Sequence, residues 1–142
     1  SYVPQKPLII NDTIKSNIAF GVENENIDLS KLNNAIEKCE LKEFIQNLPN
    51  GINEIISEDG KNISGGQAQR ISIARAIYFD RQILILDEST NSLDFETERN
   101  IINFLNELKH EITIIMISHN LESLKICNEV YELKEKKLNK IK

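Results

Sequence analysis

"QILILDE" (Gln82–Glu88) is a short run of Ile and Leu that closes on two acids. A run of that length and composition predicts a strand buried on both faces of a parallel sheet. "EITIIMISH" (Glu111–His119) repeats the design and closes on a histidine. Between the two, Glu98, Ile101, Leu105 and Leu108 recur with the helical period. Strand, helix and strand in that order predict a βαβ unit, right-handed by default, and so an α/β fold. The carboxyl edge of such a sheet is where ligands bind. Asp87, Glu88 and His119 are all placed there.

N-terminal to this unit, "NISGGQAQRISIARAIY" (Asn62–Tyr78) predicts a helix ending near Tyr78. It opens on Ser64, Gly65, Gly66 and Gln67, although the chain has only five glycines. A serine at this place is a helix cap. Two glycines behind it also let another molecule approach the backbone, and a helix N-terminus offers unpaired N–H groups and about half a positive charge to an anion. Both readings stand from these residues alone. Further upstream, apolar residues from Leu29 to Leu48 predict one helix or two short ones, with Asp28 or Ser30 as cap and Pro49, Asn50 and Gly51 as the stop. Tyr2 and Val3 predict the end of a strand, followed by a loop punctuated by Pro4 and Pro7 that carries Gln5. Beyond His119, "EVYELKEKKLNKI" predicts one or two strands around a turn near Glu135 to Lys137. Five lysines against one glutamate from Lys134 onward mark a solvated end.

The bulk composition narrows the classes. The 142 residues suffice for one domain or two small subdomains, and 40% hydrophobic with 27% charged residues is the balance of a globular chain. A net charge of −5 without basic patches argues against nucleic acid as partner. Cys39 and Cys127 match no metal-ligand spacing and predict two reduced thiols rather than a disulfide. The longest apolar runs, such as Ile114 to Ile117, are far below the ~20 residues of a membrane helix.

Each acidic and polar group at the sheet edge has a chemistry. An Asp ending a strand can hold Mg²⁺ or its water, and an adjacent Glu can orient and deprotonate a nucleophilic water. Gln5 can bring an amide to the metal or the water.

Taken together, these segments resemble the nucleotide-binding domain of ATP-binding cassette (ABC) proteins. "YVPQKPLIINDTIKSNIAFG" is similar to the Q-loop segment, "ISGGQAQRISIARAI" to the signature motif and helix, "ILILDE" to the Walker B strand, "NSLD" to the D-loop and "ISH" to the H-loop. "NDTIKSNIAFG" and "ISEDGKNISGGQ" resemble the exporter type, in which a transmembrane domain is typically fused upstream. The resemblance implies the P-loop NTPase (RecA-like) parallel core, with residues 1–10 as the Q-loop segment, 11–79 as the helical signature subdomain and 80–142 as part of the ATPase core.

It also implies roles. Glu88 is the expected general base for water attacking the γ-phosphate of ATP, Asp87 with Gln5 the expected Mg²⁺ site, and His119 a γ-phosphate contact. Gln5 completes the water site and reports nucleotide state to the transmembrane domain. Ser64, Gly65, Gly66 and Gln67 are expected on the ATP of the opposite protomer of a homodimer, and Asp94 at the dimer seam. The expected place is the cytoplasmic face of the inner membrane. The signature helix has Ala68 where a basic residue is more usual, and Asn120 follows His119 where Arg is usual.

The phosphate cradle G-x-x-x-x-G-K-[ST] does not occur in these residues. The only Gly-Lys pair, Gly60-Lys61, has Ile55 five residues before Gly60 and Asn62 after Lys61. In the family that loop lies upstream of the Q-loop, so the chain reads as the C-terminal portion of the domain, with apolar sheet edges exposed between the His119 strand and the strand near Val130. A non-catalytic dimerisation module and a soluble ABC ATPase of DNA repair or translation are the other readings. The acidic charge and the exporter-like loop from Ser57 to Gly60 weigh against the latter.

Overall fold

In the computed structural model, which describes residues 1–57 and 60–142, a three-stranded parallel sheet carries the core. Its strands are β1 (Tyr2–Val3), β4 (Ile83–Asp87) and β5 (Thr113–Ile117), in the order β1-β4-β5. The register places Val3 beside Leu86 and Leu86 beside Met116, so these side chains share one face with Leu84 and Ile114. That face is the covered one: Val3 is fully buried, and Leu84 and Leu86 are 2% exposed. Helix α5 (Phe95–Leu108) links β4 to β5, and buries Ile101 and Leu105. The strand–helix–strand unit predicted from "QILILDE" and "EITIIMISH" is therefore present with parallel neighbours.

The prediction that both faces of these strands are buried is corrected. Tyr2, Ile83, Ile115 and Ile117 point to the opposite face and are each about half exposed. Burial therefore alternates with the two-residue period of a strand rather than running through it.

A helical layer precedes β4. Strand β2 (Asp12–Thr13) pairs antiparallel with β3 (Ile55–Ile56), and α1 (Ile14–Ile18) follows β2 directly. Thr13 caps α1 by accepting from Ser16 N, as expected of a Thr at that place. The buried Asn17 amide donates to the carbonyls of Ile10, Asp12 and Thr13 and accepts from Ile10 N, which fixes the path of the chain into the helix. The stretch from Leu29 forms two helices, α2 (Leu29–Lys38) and α3 (Lys42–Gln46), broken where Glu40 takes a left-handed φ of 52°. Asp28, not Ser30, caps α2, accepting from Ser30 N and Lys31 N.

Helix α4 (Gly65–Tyr78) is the common wall. It packs against α1, α2 and β1, and its Ile71, Ile73 and Ala74 are fully buried. Tyr78 Oη accepts from Asp28 N at 3.0 Å, tying the end of α4 to the start of α2. One continuous apolar core joins the helices to the sheet. Within the expected loop Ser57–Gly60, Glu58 and Asp59 lie outside the described residues.

The C-terminal strands are β6 (Tyr131–Lys134) and β7 (Lys137–Lys140), an antiparallel hairpin turned by Glu135 and Lys136 at φ 50° and 62°. Positive φ at both central residues is the geometry of a two-residue hairpin turn. This hairpin does not pair with β5. An open groove of about 680 Å³, lined by Ile114, Met116, Leu124, Ile126 and Leu138 among others, separates them. The apolar edge expected between the His119 strand and the Val130 region is thus present on β5. Both cysteines are free thiols, with Cys39 buried. Among the described residues no helix is long and apolar enough to cross a membrane.

Candidate functional site

Because β1, β4 and β5 run parallel, the residues that follow them emerge on one edge. Gln5 follows β1, Glu88 follows β4 and His119 follows β5. The backbone brings them close: Glu88 N donates to Ile117 O at 2.8 Å, extending the β4–β5 ladder by one residue. Glu88 then turns into the left-handed region at φ 46°, an uncommon conformation for a residue with a side chain.

The Glu88 carboxylate is gripped from both sides. Gln5 Nε2 donates to Oε2 at 2.6 Å, Asn91 Nδ2 donates to the same oxygen at 3.3 Å, and His119 Nδ1 lies 3.3 Å from Oε1. The contact with Oε1 requires a proton on Nδ1, which leaves Nε2 of the ring for another ligand. His119 is 72% exposed and Glu88 29% exposed, so the pair is accessible from solvent. Asp87 sits beside it and accepts from Tyr2 Oη through Oδ2 at 2.8 Å. That hydrogen bond, together with burial and the carboxylate charge, raises the Tyr2 phenol above its usual pKa. Gln5 is bonded to Glu88 rather than to Asp87, which leaves its amide oxygen as an acceptor.

Asp87 and the Gln5 oxygen are hard donors of the kind Mg²⁺ takes, and Mg²⁺ usually binds through one or two protein oxygens plus substrate phosphates and water. Among the described residues no group of three or more His, Cys, Asp or Glu side chains is arranged to hold a metal. The donor set therefore fits an ion that arrives with a phosphate ligand.

The signature stretch is built as a helix mouth. Ser64 is the N-cap of α4: its Oγ accepts from Gln67 N at 3.1 Å, while Gln67 Oε1 accepts from Ser64 N at 2.8 Å. This reciprocal capping box uses the acceptor capacity of the serine and leaves its O–H as a donor. The two glycines differ. A Cβ on Gly65 would meet nothing within 4 Å, whereas one on Gly66 would lie 3.3 Å from Ser92 O. Gly66 thus fits tightly against the loop after β4, where a methyl would press on Ser92 O, while Gly65 leaves open surface. Among the described residues no hydrogen bond links Ser64–Gln67 to Gln5, Glu88 or His119. Asp94 is exposed and caps α5 by accepting from Thr97 N at 3.0 Å; that bond is the main reason its carboxyl sits below the usual pKa.

Four residues that shape the site, Tyr2, Asn91, Gln69 and Arg75, are not assigned to it by the sequence. Tyr2 reaches Asp87 only through the parallel register of β1 and β4. Asn91 had a local signal, since it stands three residues after Glu88 in a turn. Helix α4 also holds the segment around Gln5: Gln69 Nε2 donates to Pro4 O at 3.2 Å and the Arg75 guanidinium to Leu8 O at 2.8 Å and Asn17 O at 2.8 Å. Burial lowers the Arg75 pKa.

Comparison with known proteins gives a consistent picture. Residues 1–91 match the family model described as "ABC transporter". The chain is 40% identical over 134 residues to an ATP-dependent lipid A-core flippase of Cupriavidus pinatubonensis, covering 94% of this chain and 23% of the flippase. It is 45% identical over 128 residues to the flippase of that name from Saccharophagus degradans, covering 90% and 22%. Among solved structures, a bacterial Atm1-family ABC exporter with ATP bound superimposes with a TM-score of 0.90 at 31% identity, covering 97% of this chain and 24% of that one. The chain spans under a quarter of the length of the flippases it matches.

Proposed function

The chain belongs to the ABC transporter family, and from that premise we propose that it is the C-terminal portion of the ATP-binding and ATP-hydrolysing domain of an exporter. The observation that carries this reading is the Glu88 carboxylate, held by Gln5 and Asn91 on one oxygen and by His119 on the other at the carboxyl edge of β4.

Glu88 is the general base. Gln5 and Asn91 fix Oε2, so the carboxylate keeps one orientation as it takes a proton from the water attacking the γ-phosphorus of ATP. With both ring nitrogens carrying protons, His119 donates from Nδ1 to Glu88 and from Nε2 to a γ-phosphate oxygen. Asp87, braced by Tyr2, and the Gln5 amide oxygen hold Mg²⁺. When bound, the ion neutralises charge on the transferred phosphoryl group.

The Ser64–Gln67 mouth serves the ATP of a second copy in a head-to-tail dimer. The Ser64 hydroxyl donates to the phosphate, and the open space at Gly65 admits it. Asp94 lies at the seam between the two copies. Dimer closure and hydrolysis drive substrate translocation by a transmembrane domain on the same polypeptide, at the cytoplasmic face of the membrane. The groove beside β5 is filled, in that longer protein, by a further strand of the same sheet. Steady-state ATPase assay of the full-length protein with Glu88→Gln tests the reading: hydrolysis nearly stops while ATP binding persists. Undiminished turnover in that variant rejects it.

A further inference from the structure

Glu98 stands on the first turn of α5, outside the ring of groups around Glu88. Its Oε1 accepts from Thr90 Oγ1 at 3.0 Å, from Ser123 Oγ at 3.0 Å and from Asn120 Nδ2 at 3.3 Å. These donors come from two separate connections. Thr90 is two residues beyond Glu88 in the loop leaving β4, Asn120 directly follows His119 beyond β5, and Ser123 lies in the short turn that comes next. Thr90 and Ser123 are 4% and 3% exposed, so their hydroxyls have little recourse to water. Three donors converging on one oxygen suit an ionised carboxylate, which only accepts.

We propose that Glu98 is a positioning residue that locks the loop carrying Glu88 to the loop carrying His119 and so sets the distance between base and imidazole. The inference rests on the hydrolytic reading of the site. The His119–Glu88 contact joins side chains on different loops, and because the imidazole is 72% exposed, water competes for it and it does not fix the loops by itself. Glu88 is also held at a left-handed φ of 46°, a conformation that persists only where the surroundings impose it. The bond from Thr90 to Glu98 closes the loop between β4 and α5 onto the helix that ends it. The bonds from Asn120 and Ser123 fasten the second loop to the same atom. Where Arg more usually follows the histidine, the shorter Asn120 makes one of these bonds.

The test compares Glu98→Leu, Glu98→Gln and the pair Thr90→Val with Ser123→Ala in the full-length protein, beside Glu88→Gln. Glu98→Leu removes the acceptor and lowers kcat for ATP roughly tenfold or more, since misplacement by about 1 Å can cost ~10²-fold, while KM stays close to wild type; the unpaired Thr90 and Ser123 hydroxyls also lower the thermal midpoint. Glu98→Gln keeps an acceptor oxygen in place and restores most of the rate. The Thr90 and Ser123 pair lowers kcat in the same sense and reports on the lock even if Glu98→Leu does not fold. Wild-type kcat in Glu98→Leu beside an inactive Glu88→Gln overturns the role of Glu98 alone. So does a loss of ATP affinity in step with kcat, or a failure of Glu98→Gln to restore it. An active Glu88→Gln overturns the hydrolytic reading instead.

Discussion

Gln5 and Glu88, 83 positions apart in the chain, share the shortest hydrogen bond of the site: Gln5 Nε2 to Glu88 Oε2 at 2.6 Å. A carboxylate held by an amide N–H, as the proposed base is, is oriented without being protonated, because the N–H donates a hydrogen bond but does not give up its proton. Removal of the base and removal of its brace therefore have different sizes. Glu88→Gln is expected to lower kcat in the full-length protein by ~10²–10⁴. Gln5→Ala leaves Asn91 and His119 in contact with the carboxylate, so its loss of kcat is smaller. Parallel ATPase assays of the two variants check the order, and a greater loss in Gln5→Ala would assign the base elsewhere.

The glycine pair predicts an unequal response. Gly65→Ala meets open space and restricts the unfolded chain, so it should raise stability by roughly 0.4–1 kcal/mol. Gly66→Ala pushes a methyl to 3.3 Å from Ser92 O, so it should gain less than Gly65→Ala or lose stability outright. ATP-driven dimerisation should fail in Gly65→Ala despite the firmer fold, because the methyl occupies the space given to the phosphate. Denaturant melts alongside sedimentation with ATP separate the two effects.

Ser64 has a structural and a ligand role that can be split by charge. Ser64→Ala loses the cap bond to Gln67 N and should cost about 1 kcal/mol. Ser64→Asp keeps a capping oxygen at the positive end of α4 and should hold stability near wild type. Its carboxylate repels phosphate, so ATP-dependent association should be lost in both variants. Association surviving in Ser64→Asp would leave the serine as a cap only.

These contrasts also show what was legible in the residues. The runs from Ile83 and Thr113 announce their strands because Ile and Leu stop abruptly at Asp87, and at His119 after Ser118. Parallel pairing then forces Glu88 and His119 to a common edge, with Gln5 beside them. The covering of those strands was not legible, since an apolar run reads the same whether one face or both are buried. The register shows Tyr2, Ile115 and Ile117 on the open side. Nor was the tight fit at Gly66, which depends on the carbonyl of Ser92, 26 residues later. Glu98 counted only as a member of the helix face in the sequence, because the period of a helix says where a side chain stands and nothing about what it accepts.

Burial of the Cys39 thiol gives the fold a stability contribution that is lost on the alkaline side. Cys39 is fully buried in the helical layer, and desolvation holds its thiol well above the usual range. The sign follows from linkage: the contribution is fully present below the unfolded thiol pKa, about 8.5, and declines as pH rises from there toward the folded value, because only the unfolded chain ionises freely. Denaturant midpoints measured from about pH 7 to pH 10 should fall, and Cys39→Ala should flatten that decline. Alkylation of the native protein should modify the half-buried Cys127 first. Rapid native labelling of Cys39 would contradict its burial.

The last expectation concerns ATP and these 142 residues alone. Micromolar affinity corresponds to about 8.2 kcal/mol of binding free energy. One helix N-terminus supplies ~0.3–1 kcal/mol toward an anion, and the α4 mouth is assigned to the ATP of another copy. Glu88 and Asp87 are carboxylates and repel a nucleotide unless Mg²⁺ comes with it. The sequence holds no G-x-x-x-x-G-K-[ST] cradle whose backbone N–H groups and lysine could make up the difference. Isothermal calorimetry on the 142-residue chain should therefore detect no low-micromolar binding of MgATP, whereas a longer protein that carries such a cradle should bind it. Tight binding by the short chain would mean that the Gln5–Glu88–His119 edge holds phosphate by itself, and would move the nucleotide from the opposite copy to this one.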